Sequence, residues 1–240
     1  MAKERGFSVS LVVPARNEAG KILRTLEAYY SHFSRNFRDF EIIVVCNNCS
    51  DNTFDVAEKF AKSRKRVIVL DFPEKIGKGG AVIEGFKKAS KGLVGFTDAD
   101  LSYSPLEFSK LVEELRSGNS DAAVASRAAK DSVLPKSQPF LRVFLGSSFR
   151  LFVGLLFGLG VNDTQAGAKL FRRKALLKVL PSLSVKGWEF DVDLLWKLKR
   201  AGFRISEVGV RVTERKESGL NPVSDSLKMF FGLLKLRLSG

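Results

Sequence analysis

Leu93-Val94-Gly95-Phe96-Thr97-Asp98-Ala99-Asp100 is a short apolar run that ends abruptly in two carboxylates one residue apart. A run of this length, bounded by polar residues, reads as a buried strand whose carboxyl end delivers Asp98 and Asp100 to a loop. Upstream the same unit recurs. Val9 to Val13 reads as a strand that stops at Pro14, followed by Asn17-Glu18 and a helical pattern from Ile22 to Tyr30. Glu41 to Val45 stops in Asn47, Asn48, Ser50 and Asp51 before a helix from Thr53 to Ala61. Val67 to Leu70 leads into Gly77-Lys78-Gly79-Gly80 and a helix from Ala81 to Ala89. Downstream, a helix from Pro105 to Arg116 and a strand from Asp121 to Ser126 complete the pattern. Strands alternating with helices at this spacing predict an α/β fold with a mostly parallel, Rossmann-like sheet flanked by helices. Its ligands sit beyond the carboxyl ends of the strands, where every polar cluster named above falls.

The chain has 240 residues, 45% of them hydrophobic and 28% charged. That composition excludes a disordered tail, a collagen-like repeat and a polytopic membrane protein, and predicts one domain over residues 1–240. Forty Lys and Arg face 26 Asp and Glu, a formal +14, which points to an anionic partner: nucleic acid, a phosphorylated substrate or an anionic membrane surface. Two cysteines cannot build a disulfide framework, and no secretory pattern precedes Phe7, so a reducing cytoplasmic location is expected. With His32 the only histidine, a Ser-His-Asp hydrolase and a His-rich zinc site are disfavoured.

From Arg127 the character changes. Phe140 to Val161 is rich in Leu, Phe and Gly, with Arg142 and Arg150 inside it. Its longest uncharged run, Leu151 to Val161, is about half of the roughly 20 residues a membrane span needs. It reads as a core helix or helical hairpin, or as a surface that meets the membrane interface. Asp225 to Leu238 places Leu227, Phe230, Phe231, Leu234 and Leu238 at helical spacing, with Lys228, Lys235 and Arg237 elsewhere around the axis. This is a basic amphipathic helix suited to packing on the domain or to an anionic bilayer.

Five constellations are candidates for chemistry. Asp98 and Asp100 offer hard oxygen ligands for magnesium or manganese on a diphosphate, with the small Ala99 between them; the same spacing also occurs in plain surface loops. Gly77-Lys78-Gly79-Gly80 opens a helix whose N–H groups and Lys78 could face phosphate, or it is a tight turn; neither the P-loop nor the dinucleotide spacing is met. Trp188-Glu189-Phe190-Asp191-Val192-Asp193 places three carboxylates at a helix start, for base or acceptor-positioning work or to complement the helix dipole. Cys46-Asn47-Asn48-Cys49 lacks a second ligand pair and reads as a strand-end turn rather than a zinc or redox site. Arg127, Arg142, Arg215 and Lys216 suit phosphate binding or a solvated surface.

Taken in order, these stretches resemble a family 2 glycosyltransferase with the GT-A fold. The resemblance rests on Val12-Val13-Pro14-Ala15-Arg16-Asn17-Glu18, Val44 to Thr53, and Thr97 to Asp100. The second half resembles the polyprenyl-phosphate branch, the dolichyl-phosphate β-glucosyltransferases and more loosely the dolichyl-phosphate mannosyltransferases. That likeness is carried by Gly77 to Val82, Ser126-Arg127, Asp163 to Phe171 and Trp188 to Leu195.

The resemblance implies inverting transfer of a hexose from a nucleotide diphosphate sugar, UDP-glucose or GDP-mannose, to a polyprenyl phosphate. Pro14, Arg16, Glu18, Val45 and Asn47 then fall where the family binds the nucleoside. Asp98 and Asp100 fall on the metal, Mg2+ or Mn2+, and the diphosphate, with Lys78, Gly79 and Ala99 beside them. Arg127 and Arg215 match positions that handle donor or acceptor phosphate, and Asp191 occupies the place of the catalytic carboxylate. Residues of about 7–126 would form the nucleotide-binding half and about 127–240 the acceptor and membrane-facing half. A peripheral enzyme on the cytoplasmic face of the membrane is expected, and nucleic acid is not expected as a partner. Two departures stand out. Asn47 replaces an aspartate expected on the base, leaving base identity open, and Arg215 to Asn221 replaces the loop in which the family tends to carry a Ser-Lys pair.

Overall fold

The computed structural model describes residues 4–134, 140–183, 185–213 and 222–239. Its strands are β1 (Glu4–Ala15), β2 (Phe37–Asn47), β3 (Val67–Phe72), β4 (Leu93–Thr97), β5 (Ala122–Ser126), β6 (Ala168–Arg172) and β7 (Ile205–Gly209). They form one sheet in the order β3-β2-β1-β4-β6-β5-β7, parallel throughout except for β6, which runs against both neighbours. The helices are α1 (Ala19–Asn36), α2 (Thr53–Lys62), α3 (Gly77–Lys88), α4 (Pro105–Arg116), α5 (Phe140–Phe157), α6 (Arg173–Val179), α7 (Phe190–Arg200) and α8 (Pro222–Ser239). The predicted α/β fold is the observed one.

The central strands are apolar without alternation because helices cover both faces of the sheet, which leaves no strand face for water. Ile22, Leu26, Tyr29 and Phe33, spaced three or four apart, give α1 one buried stripe. With α2 and α4 it covers a face where Phe33 meets the rings of Tyr29, Phe37 and Phe40 edge-on. On the opposite face α3, α6 and α7 enclose Phe86, Phe96, Phe171 and Phe190. The start of α4 follows from its sequence: Pro105 occupies the first turn and the Ser104 side chain accepts the Glu107 N–H.

β1 stands at the switch point of the sheet, with β2 on one side and β4 on the other. Pairing with β2 continues to Ala15 opposite Cys46, whereas pairing with β4 ends at Val12 opposite Phe96. The two strands therefore part before their ends, and a crevice opens between the loops that follow them.

Several boundaries differ from the sequence expectation. β1 runs through Pro14 rather than stopping there, since Pro14 pairs with Val45 at the strand's open end. α3 begins at Gly77, so the glycine cluster is its first turn rather than a preceding loop. The apolar segment from Phe140 is one helix, not a hairpin. β6 and β7 had no separate signal: Lys169 and Arg172 interrupt the apolar run of β6, and β7 is a half-buried edge strand.

α8 lies against α5, with Phe152 stacked on Phe230 at 4.2 Å and Arg237 Nε donating to the Leu156 carbonyl at 3.0 Å. Among the described side chains of α8, Leu233 and Leu236 are buried, whereas Phe231 and Leu238, from the face the sequence marked as apolar, are exposed.

Candidate active site

Two loops form the floor of the crevice beyond β1 and β2. Asn17, at a φ of 56°, turns its Oδ1 to accept the Ser50 N–H at 2.8 Å. Asp51 Oδ2 accepts from Ala19 N–H at 3.1 Å, and Thr53 Oγ1 accepts from Glu18 N–H at 2.7 Å. The polar residues after the first two strands thus bind each other and hold Arg16 at the surface. Asn47 is buried, and its Oδ1 accepts the Ile76 N–H at 2.9 Å, which fixes the approach to α3. The Val45 side chain is wholly inside the core, so it offers a ligand no side-chain contact. The Cys46 thiol is buried, and burial pushes its pKa up to about 12; among the described residues both cysteines are free, and Cys49 Sγ lies 3.6 Å from the Ala15 carbonyl. A turn, not a redox pair, is what these residues form.

The Asp98-Ala99-Asp100 loop is braced from below by α1. Thr25 Oγ1 donates to the Ala99 carbonyl at 2.7 Å, and Tyr29 OH donates to the Tyr103 carbonyl at 2.8 Å. Asp98 N–H donates to the Gly167 carbonyl at 3.0 Å, Asp100 Oδ1 accepts the Ser102 N–H at 3.0 Å, and Leu101 turns the chain at a φ of 58°. Thr25 and Tyr29 carry no sequence signal for this duty, because both lie on the apolar stripe of a helix.

Three cations meet three carboxylates beside this loop. Lys78 Nζ lies 2.7 Å from Asp98 Oδ1 and 5.3 Å from the Trp188 ring centroid. Arg127 grips Asp163 with Nε at 2.7 Å and NH2 at 2.8 Å, while its own N–H donates to the same carboxylate at 2.8 Å. Burial opposes charge on Arg127, but the Asp163 carboxylate wins and raises its pKa above the ordinary value. The Arg127 side chain nevertheless stays 38% exposed, so the fork is oriented without being sealed off. Lys169 Nζ, fully buried, lies 2.5 Å from Asp191 Oδ1. Neither Lys169 nor Asp163 was singled out for a role in the sequence. Their signal was a lysine and an aspartate within the short stretch Asp163 to Phe171.

Of the three carboxylates at the start of α7, Asp193 pairs with Lys197 one turn on at 2.7 Å, and Asp191 alone meets Lys169. The helix-dipole reading thus suits Asp193 and the site reading suits Asp191.

The glycine cluster works differently from a phosphate cradle. Gly79 N–H and Gly80 N–H both donate to the Lys186 carbonyl, at 3.0 and 3.4 Å, so the expected backbone phosphate contact of Gly79 is already taken by protein. A Cβ on Gly79 would stand 2.5 Å from Phe190 Cβ, and Gly77 holds a φ of 76°. Glycine is needed here for close approach of the segment that carries Trp188 and Asp191.

Hard oxygen donors gather at one end of the site. Burial raises the Glu18 pKa; Lys21 opposes this, and the charges of Asp100 and Asp98 add to it. Among the described residues no three His, Cys, Asp or Glu side chains converge closely enough to hold a cation alone. That donor set fits a divalent ion bound by one or two carboxylates and completed by substrate phosphate oxygens. Arg215 and Lys216 lie outside the described residues, as does the side chain of Arg142.

Residues 10–180 match the sequence profile described as Glycosyl transferase family 2. The chain belongs to this family. Its match to the dolichyl-phosphate β-glucosyltransferase of Drosophila melanogaster is 34% identical and covers 93% of this chain and 72% of that protein. The match to glycosyltransferase AglD of Haloferax volcanii is 30% identical, covering 98% of this chain but only 38% of that protein. The fold is that of glucosyl-3-phosphoglycerate synthase from Mycobacterium tuberculosis, solved with Mn2+, UDP-glucose and phosphoglyceric acid. The TM-score is 0.73 at 21% identity, over 97% of this chain and 80% of that one.

Proposed function

We propose that this glycosyltransferase moves a hexose, glucose by preference, from a nucleotide diphosphate sugar to a polyprenyl phosphate of the dolichyl type at a membrane surface. The observation that carries the reading is the row of cations and carboxylates along the crevice, Lys78–Asp98, Lys169–Asp191 and Arg127–Asp163. Lys78 and Arg127, the two of these cations that stay partly exposed, would face the two anionic phosphate groups, one on each side of a neutral sugar. The likeness to dolichyl-phosphate β-glucosyltransferases supports the donor and the acceptor.

In this reading the nucleoside rests on the loop of Pro14, Arg16 and Glu18 and on Asn47, and the diphosphate reaches Lys78 and the Asp98–Asp100 loop. Asp98 and Asp100 would hold magnesium or manganese, which when bound neutralises the charge that grows on the leaving diphosphate. Lys78 adds an ammonium on the same side, and Arg127 and Arg215 are assigned to acceptor phosphate. A phosphate oxygen of the acceptor attacks the anomeric carbon as the bond to the diphosphate breaks on the opposite face. The configuration inverts and the nucleoside diphosphate departs with the bonding electron pair. No proton need be removed, because a phosphate monoester is already an anion at neutral pH.

α5 and α8 support a place at the membrane. Leu151 and Leu155 on one and Phe231 and Leu238 on the other leave 65–88% of their surface exposed, beside the exposed cations Arg150, Lys235 and Arg237. Apolar side chains with adjacent cations suit an anionic interface. The contact assigned here is a peripheral one on the cytoplasmic face; among the described residues no helix is long and apolar enough to cross a membrane.

The test is transfer of labelled hexose into organic-soluble lipid from UDP-glucose, GDP-mannose or UDP-N-acetylglucosamine, with vesicles that contain dolichyl phosphate. Labelling from one donor, lost with chelator and with Asp100→Asn, is expected. Binding of a nucleotide sugar without any labelled lipid would overturn the acceptor assignment.

A further inference from the structure

Residue 169 sits in the middle of the sheet, opposite Phe96 on β4 and Val124 on β5. Its neighbours Ala168, Leu170 and Phe171 are buried, and an apolar side chain would suit the place. Lys169 occupies it instead with no exposed surface. The ammonium donates to Asp191 Oδ1 at 2.5 Å and to the Ala166 carbonyl at 2.7 Å, and lies 5.2 Å from the Phe96 ring centroid. Burial pushes the lysine pKa down, and the Asp191 carboxylate opposes that shift. A buried ion pair is a poor device for stability, since a well-packed apolar pair of similar volume generally does as well.

What this pair supplies is geometry. It ties the first turn of α7 to the turn before β6, where Gly167 holds Asp98 and Asp163 holds Arg127. One oxygen of Asp191 is taken. The other, Oδ2, has no hydrogen-bond partner among the described residues, yet it is not among the side-chain atoms sealed from solvent without one. A carboxylate oxygen held in place in this way accepts a hydrogen bond from a neutral hydroxyl well.

We propose that Lys169 is a positioning residue that fixes Asp191 as a hydrogen-bond acceptor for a hydroxyl of the transferred hexose, rather than as a base that takes a proton from the acceptor. This rests on the nucleotide-sugar reading above and is independent of which acceptor is used.

The experiment is equilibrium binding of UDP and UDP-glucose, and of GDP and GDP-mannose, to the full chain with manganese, for the wild type, Lys169→Met, Asp191→Asn and the double variant. The wild type should bind one nucleotide sugar more tightly than its bare nucleotide. Each single variant should cut that increment by about 10-fold or more, the scale of a lost buried hydrogen bond to a sugar hydroxyl, and leave affinity for the bare nucleotide within about two-fold. The double variant should do no worse than the singles. If Lys169→Met does not fold, Asp191→Asn and the charge-balanced double variant carry the test.

Equal weakening of nucleotide and nucleotide sugar would assign the pair to architecture and overturn the proposal. An increment that survives Asp191→Asn would overturn it too, as would a wild type with no increment for either sugar. A wild type that shows the increment but labels no lipid would sink the polyprenyl-phosphate reading and leave this one standing.

Discussion

The two faces of the sheet spend their aromatic residues differently. Under α1 and α4 the rings of Tyr29, Phe33, Phe37, Phe40 and Phe108 pack against one another in a sealed layer. Under α3 and α7 the rings of Phe96 and Trp188 instead stand beside the ammonium groups of Lys169 and Lys78. The first face is closed to charge, whereas the second packs Phe86, Phe96, Phe171 and Phe190 and also admits charge beside them. Buried ion pairs contribute little net stability, so it is the apolar packing on both faces that keeps them in place. The link between them is short, since Thr25 and Tyr29 rise from the sealed layer to hold the Asp98–Asp100 loop.

This division can be broken by substitution. Phe33→Ala in the sealed layer should cost about 3–5 kcal/mol in urea unfolding, because a ring-sized cavity opens in a closed core. The KM of the protein that remains folded should not change. Asp100→Asn should do the reverse, lowering kcat for sugar transfer by about 10²–10³-fold through lost stabilisation of the leaving diphosphate. Its thermal midpoint should stay within about 2 °C of the wild type, because the amide oxygen of asparagine can still accept the Ser102 N–H. If both variants lose stability and activity together, the two faces are not separable.

A third change sharpens the comparison at the outer helices. Leu155→Asp combined with Phe231→Asp should lower partition onto anionic vesicles by about 10-fold or more, given the apolar area withdrawn from the interface. Vesicle co-sedimentation reads this, and turnover with a short, water-soluble polyprenyl phosphate should be unaffected.

The smallest effect belongs to His32, whose Nε2 lies 2.8 Å from Ser109 Oγ on the sealed side. Burial, followed by the Arg35 charge, lowers its pKa from 6.5. As pH falls through about 6.5 the unfolded chain takes up the proton first. His32 therefore subtracts stability below that pH and levels off once the folded ring titrates. His32→Gln should remove this slope from the pH dependence of the thermal midpoint and leave transfer unchanged.

The sequence was most legible where one residue type admits one physical reading. Apolar runs that stop at Asn47 and Asp98 located two strand ends, and the run that stops at Pro14 came within two residues of a third, which together mark the edge that carries the site. Asp191 could be placed at a helix start. Less legible were contacts whose partners lie far apart in the chain. The Gly77 to Gly80 cluster reads locally as a phosphate cradle, and only the neighbouring Lys186 carbonyl shows that two of its N–H groups are engaged. α8 misled for a similar reason: its helical spacing defined an apolar face, but which face turns inward depends on α5 and α7.

From composition, periodicity and strand-end chemistry alone, the chain specified an α/β sheet of mostly parallel strands, a crevice at their carboxyl ends and an acidic pair at its mouth. Those features rest on local hydrophobic pattern and on turn residues a few positions apart, which act before any distant segment is in place. Tertiary structure alone decided that β6 enters the sheet antiparallel between β4 and β5, and that Lys169 is thereby enclosed opposite Asp191. It also decided that Arg127 is held by Asp163. A charge gains meaning only from the dielectric and the counter-charge around it, and both are supplied by residues that sequence separation hides.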